Sequence, residues 1–170
     1  MKAPRVQFIH GLEGSPQGAK ARQLAEHFEA IAPAMDTHDF EACVRVQREA
    51  LERFRPDVLV GSSFGAAVAV ALLARGHWRG PTLLLAQAAL RYDPLARLPA
   101  GVRAWLVHGL RDELIDPEES RRLARTGTPD LVRILEVDDD HALRELVSSG
   151  RLAALVRELW DRSGPPPAGA

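Results

Sequence analysis

Short apolar runs alternate with amphipathic stretches from one end of the chain to the other. The runs at Val6–His10, Ala30–Ala34, Asp57–Gly61, Thr82–Ala86, Ala104–His108 and Val132–Val137 have strand length, and near-continuous apolar character suits strands buried on both faces. Between them, helical periodicity predicts helices over Gly18–Glu29, Glu41–Phe54, Gly65–Arg75, Pro117–Thr126 and His141–Trp160. Pro33 lies inside the second run and demotes it to a sheet edge, because proline cannot donate to a ladder. The stretch Gln87–Gly101 has room only for a helical turn. Strand and helix alternating in this way build a parallel sheet covered on both sides. The expected fold class is therefore α/β: a three-layer α/β/α sandwich with a mostly parallel sheet of about six strands. Residues 1–162 read as a single domain, and the Pro/Gly-rich segment over 163–170 as a flexible tail that cannot build a core.

Composition narrows the possible chemistry. A chain of 170 residues fits one domain. Its net charge of −1, with no lysine or arginine block, lacks the electrostatic footprint of a nucleic-acid binder. A small, uncharged or mildly polar substrate is expected instead, with no cofactor. Cys43 is the one cysteine, which excludes an intramolecular disulfide and any cysteine-rich metal motif and fits a reducing cytoplasm. The first apolar segment, Val6–Ile9, is too short for a signal-peptide core or a bilayer span, so neither membrane association nor export is expected. No metal-ligand spacing occurs among the scattered histidines or in Asp138–Asp140. The preference for arginine over lysine, with much alanine, hints at a GC-rich bacterial genome. Monomer and homodimer are both compatible with the chain.

Right-handed crossovers place every strand-to-helix turn on one rim of the sheet, where ligands of open α/β folds sit. Gly61-Ser62-Ser63-Phe64-Gly65 falls on that rim, between the apolar run Val58–Val60 and a helix-like segment. Gly-x-Ser-x-Gly at a strand-to-helix turn is a nucleophile elbow, a turn tight enough to need glycine on both sides of the serine. A glycine-serine turn that merely caps a helix is the plainer alternative. If Ser63 is a nucleophile it needs a base, since its hydroxyl is a poor nucleophile at neutral pH.

His27, His38 and His77 lie in polar surroundings and read as surface residues. Of His10, His108 and His141, the last follows the sixth strand and opens the final helix. Its neighbours Asp138–Asp140 also suit a helix-capping cluster. An acid between serine and histidine in the chain completes the order Ser, Asp, His, and Asp112 and Asp116 both follow the fifth strand. Asp116 has a sufficient structural role as a helix N-cap before Pro117. Asp112 has none and is the preferred partner for His141, with Asp116 in reserve. Two backbone N–H groups, of Leu12 after the first strand and of Phe64 after the serine, are the natural oxyanion donors. His10 is expected to brace the first loop.

His10-Gly11, Gly61-Ser62-Ser63-Phe64-Gly65, His108-Gly109-Leu110-Arg111-Asp112 and Asp140-His141 resemble the loop signatures of the α/β-hydrolase superfamily, over most of the chain. Within it the chain is similar to small, lidless bacterial esterases of the YqiA-like type. The resemblance implies a triad of Ser63, Asp112 and His141 that hydrolyses a small-molecule ester or thioester. The chain departs from that pattern in lacking the first two strands of a full hydrolase, and in carrying Phe64 where many relatives have Leu, Met or Gln. Gln87–Gly101 is too short for a lid, so an open site for short or medium acyl groups is expected, lined by Leu12, Phe64, Leu90, Tyr92 and Leu114. Two other functions compete. One is a binding or scaffold protein that keeps the fold without turnover. The other is a nucleotide-binding domain, disfavoured because Glu13 stands where a phosphate would sit.

Overall fold

A computed structural model describes residues 2–164. Its six strands are β1 (Arg5–Ile9), β2 (Glu29–Ile31), β3 (Val58–Ser62), β4 (Thr82–Leu85), β5 (Ala104–Gly109) and β6 (Val132–Val137). They form one sheet in the order β2-β1-β3-β4-β5-β6, with every neighbouring pair parallel. The sheet is thus wholly rather than mostly parallel. The helices are α1 (Ala19–His27), α2 (Phe40–Phe54), α3 (Phe64–Ala74), α4 (Ala89–Tyr92), α5 (Pro117–Ala124), α6 (Arg144–Ser148) and α7 (Arg151–Asp161).

Alternation along the strands divides the core in two. Val6 and Phe8, Val58 and Val60, Leu83 and Leu85, and Trp105 and Val107 face α1, α6 and α7. Ile9, Leu59, Leu84 and Leu106 face α2, α3 and α5. Successive strand side chains point to opposite faces, so each apolar run serves both layers. Gln7 falls among the second set and is fully buried; its Nε2 donates to Gln47 Oε1 at 2.8 Å, tying β1 to α2. Helix α3 is apolar on all sides and has only Ala71 and Ala74 outside the buried class, as befits a helix packed between sheet and neighbouring helices.

Two expected elements changed. The second strand ends at Ile31, because Pro33 cannot extend the ladder and the run lies at the sheet edge. The single helix expected over His141–Trp160 is two helices that begin later. Leu143 takes a left-handed conformation (φ 55°) before α6, and Gly150 does the same (φ 75°) before α7. Asp139, 2% exposed, accepts hydrogen bonds from Leu146 N (2.9 Å) and Asp140 N (2.9 Å). The acidic run therefore does cap a helix, through its middle member. Of the expected tail, Ser163 closes α7 by donating from Oγ to Leu159 O, and residues 165–170 lie outside the described residues.

Left-handed backbone costs a side-chain-bearing residue about 1 kcal/mol. Gly150→Ala is accordingly expected to lower the unfolding free energy by about that amount, read as a lower urea midpoint at unchanged slope. An unchanged midpoint would mean the break between α6 and α7 does not depend on glycine.

Candidate active site

Strand order reverses between β1 and β3: from β1 the chain runs outward to β2, and from β3 it runs the other way through β6. Crevices at such switch points open at the C-terminal ends of the strands. The loop after β1 and the turn after β3 meet there. At that turn Ser63 has φ 54° and ψ −114°, a conformation that costs about 1–3 kcal/mol and persists only where the surroundings over-determine it. Here they do. Ser63 N donates to Leu85 O (2.8 Å), and Ser63 O accepts from Ala66 N (3.1 Å), Ala67 N (3.2 Å) and Ala88 N (3.2 Å). Glycine is required on either side because a Cβ on Gly65 would stand 2.0 Å from Ile9 O, and one on Gly61 2.7 Å from Gly65 O.

The strained turn lifts the Ser63 hydroxyl above the sheet, where it donates to His141 Nε2 at 3.0 Å. The other ring nitrogen, Nδ1, donates to Asp112 Oδ2 at 2.7 Å. His141 comes from the loop after β6, two strands beyond β4, and the loop arches back over β5 to reach Ser63. Three contacts hold the arch: Leu110 N donates to Val137 O (2.8 Å), Arg111 N to Asp139 O (3.0 Å), and Lys20 Nζ from α1 to Ala142 O (2.7 Å). Burial pushes the Lys20 ammonium below its ordinary range, against the opposing pull of Asp140 and Asp139.

The structure brings Ser63, His141 and Asp112 together and sends Asp116 elsewhere. Asp116 caps α5 by accepting from Glu118 N at 2.8 Å. The Asp112 side chain is wholly buried, which pushes its carboxyl upward. The Ile115 N–H, the His141 ring and the Leu114 N–H more than offset burial and hold it below the usual carboxylate range. Oδ1 accepts both backbone donors, at 2.8 and 2.9 Å, which leaves Oδ2 for His141. His10 lies with Nδ1 2.9 Å from Gly11 O, within its own loop. His27, His38 and His77 are exposed.

Leu12 (55%), Tyr92 (43%) and Leu114 (60%) are exposed, and Leu90 is half-buried. Phe64 differs from expectation as a lining residue: its ring is 1% exposed. It packs edge-on against Phe40 (5.7 Å) and Tyr92 (5.1 Å), and these two stack on each other at 5.3 Å. Phe64 therefore supports the wall from behind. As the first residue of α3, its N–H has no intrahelical partner. Phe40, the first residue of α2, lies just outside the helix expected over Glu41–Phe54 and gave no sequence signal for this position. Among the described residues no group of three or more His, Cys, Asp or Glu could hold a metal, and no helix is long and apolar enough to cross a membrane.

The six-stranded parallel sheet and its flanking helices form an α/β-hydrolase fold. Structural comparison agrees. The chain is similar to an alpha/beta-superfamily hydrolase protein from Xanthomonas campestris pv. campestris (24% identity, 95% of this chain and 99% of that one, TM-score 0.72). It is also similar to mouse alpha/beta hydrolase domain-containing protein 10 (18% identity, 95% and 91%, TM-score 0.76). A third likeness is to a lidless serine hydrolase from Xanthomonas campestris (19% identity, 95% and 84%, TM-score 0.68). A curated relative, the chloroplastic phytyl ester synthase 1 of Arabidopsis thaliana, is 31% identical over 102 residues, 54% of this chain but 14% of that protein. The chain thus spans a small part of that relative's length. No family model matches it.

A carboxyl whose folded-state pKa is depressed stabilises the fold fully above its unfolded value, about 3.9. That contribution is lost as pH falls through the lower folded value. Asp112→Asn should therefore be less stable than wild type near neutrality, with the gap narrowing as pH drops below about 4. Chemical denaturation at a series of pH values measures it; a gap independent of pH would contradict the assignment of the depressed carboxyl.

Proposed function

We propose that this protein is a serine hydrolase that cleaves short- to medium-chain carboxylic esters, with thioesters as a related class. The observation that carries the reading is the continuous Ser63 Oγ–His141 Nε2 (3.0 Å) and His141 Nδ1–Asp112 Oδ2 (2.7 Å) line on a strained strand-to-helix turn. His141 takes the proton of Ser63 as Oγ attacks the ester carbonyl carbon. The oxyanion is held by the N–H groups of Leu12 and Phe64. His141 then returns the proton to the departing alcohol oxygen, leaving an acyl-serine. Water, deprotonated by His141, attacks that acyl group, releases the acid and restores Ser63. Asp112, ionised throughout, fixes the imidazole tautomer and stabilises the imidazolium formed during both attacks.

The acyl-size preference follows from the rim. The connection over residues 87–101 contributes one helical turn, α4, and Leu12, Tyr92 and Leu114 are exposed, which supports an open site with little wall for a long acyl chain. A phytyl ester synthase among the relatives is in keeping with acyl transfer. Ester synthesis and ester cleavage share an acyl-enzyme and differ in whether an alcohol or water accepts the acyl group.

A fluorophosphonate probe should label wild-type protein and not Ser63→Ala. Across p-nitrophenyl esters of rising length, kcat/KM should fall beyond medium chains, and the Ser63→Ala variant should lose at least about 1,000-fold in kcat. Failure of the native protein to label, or equal labelling of Ser63→Ala, would overturn the proposal.

A further inference from the structure

Asp112 has a second histidine against it. His108, on β5 four residues earlier, is wholly buried, and its Nε2 lies 3.0 Å from Asp112 Oδ2, the same oxygen that accepts from His141. Nε2 also lies 3.0 Å from Ile115 O, and Nδ1 lies 2.7 Å from Ser120 Oγ. Ser120 Oγ in turn lies 3.1 Å from Gln87 Nε2, and Gln87 Oε1 accepts from Ala89 N at 2.8 Å. Gln87, Ser120 and His108 are all fully buried, and the proposed hydrolytic chemistry assigns none of them a role.

The partners at the two ends of this row orient its hydrogen bonds. A backbone N–H can only donate, so the Gln87 atom facing Ala89 is the carbonyl oxygen, and the amide nitrogen must donate to Ser120 Oγ. A serine oxygen has a second lone pair, so the direction at His108 is set on the far side of the ring, where Nε2 faces Ile115 O and Asp112 Oδ2, neither of which can donate, and the Ser120 hydroxyl gives its hydrogen to Nδ1 of the neutral ring. Nδ1 is then an acceptor, and the ring's proton resides on Nε2, where it donates to Ile115 O. We propose that His108 is a positioning residue for Asp112, held in its Nε2–H tautomer by Ile115 O and Asp112 Oδ2, with Ser120, oriented by Gln87, satisfying Nδ1 and fixing the ring.

Two consequences for Asp112 follow from that tautomer. The positive end of the N–H lies beside Oδ2, which favours the carboxylate without adding a full charge, so the single negative charge of Asp112 is left for His141. The hydrogen bond to Ile115 O also anchors the turn whose N–H groups hold Oδ1. In the reversed tautomer an Nε2 lone pair would face a carbonyl and a carboxylate oxygen, both at 3.0 Å. Repulsion in a site screened from water would drive Asp112 and its turn away from His141. This inference rests on the hydrolase reading of Ser63, Asp112 and His141, and its test has one arm that does not depend on turnover.

That arm is the 15N imidazole spectrum of the protein. Wild type should show His108 protonated on Nε2 alone, and Ser120→Ala should keep that tautomer while moving the Nδ1 resonance, which loses its hydrogen-bond donor. The second arm is kinetic. Ser120→Ala should lower kcat for p-nitrophenyl acetate by about 10- to 100-fold with KM little changed. His108→Gln, which retains an N–H donor, should keep more kcat than His108→Leu. A wild-type His108 protonated on Nδ1 would overturn the proposal. So would a folded Ser120→Ala with unaltered kcat, or equal kcat in the Gln and Leu variants. Absence of turnover and of probe labelling in wild type would instead count against the hydrolase reading, while the tautomer measurement would still decide the His108 assignment.

Discussion

The backbone of Ser63 is the constraint on which the site depends. A non-glycine residue at φ 54° is unstable by itself. It persists because its one N–H and its carbonyl oxygen are committed to partners on β4, α3 and the turn before α4. Those bonds cross the centre of the sheet, so the apolar interior on both faces ultimately holds the hydroxyl upright. Helix α3 shows the same dependence from its own side. Its wholly apolar surface would be insoluble alone, and only burial between β3, α2 and α4 lets it follow directly from the serine.

Around that point the molecule brings distant segments together by loop geometry. Asp112 and His141 follow adjacent strands, β5 and β6, while Ser63 follows β3. The loop after β6 spans the gap because Asp139 folds it over and caps α6 with its buried carboxylate. Lys20 secures it from α1, in the same layer as α6. The charged groups in this region serve geometry first: Asp139 organises the arch, Asp116 starts α5, and Asp112 is held so completely by donors that it stays ionised inside the protein. Exposed ion pairs such as Arg75–Glu41 and Arg111–Asp138 lie on the surface, where each contributes little.

Much of the fold could be read from periodicity, since five of the six strand runs are long, apolar and bounded by turn residues, and the edge position of the Pro33 run followed from one missing N–H. The two breaks in the final helical region could not. A lone glycine inside a helical pattern is ordinarily tolerated, and nothing local marks Leu143 for left-handed backbone. At the site, the serine, the histidine and both candidate acids stood out because their chemistry demands particular neighbours in a particular order. The row Gln87, Ser120, His108 did not, since an isolated glutamine and serine on different elements carry no spacing signal and become partners only through packing. Phe64 was visible for its N–H, but its side chain's burial under Phe40 and Tyr92 was not.

The chain order of the three converging residues has a temporal side. Ser63 is synthesised with its elbow unsupported until Leu85 and Ala88 follow, and it acquires a hydrogen-bond partner for its hydroxyl only when His141 emerges, 78 positions later. A growing chain on the ribosome therefore carries its serine without the imidazole until most of the domain has been made. The Ser63–His141 hydrogen bond is in this sense a late reporter of sheet completion: it can form only once β6 has docked and the loop beyond it has crossed back over the rim.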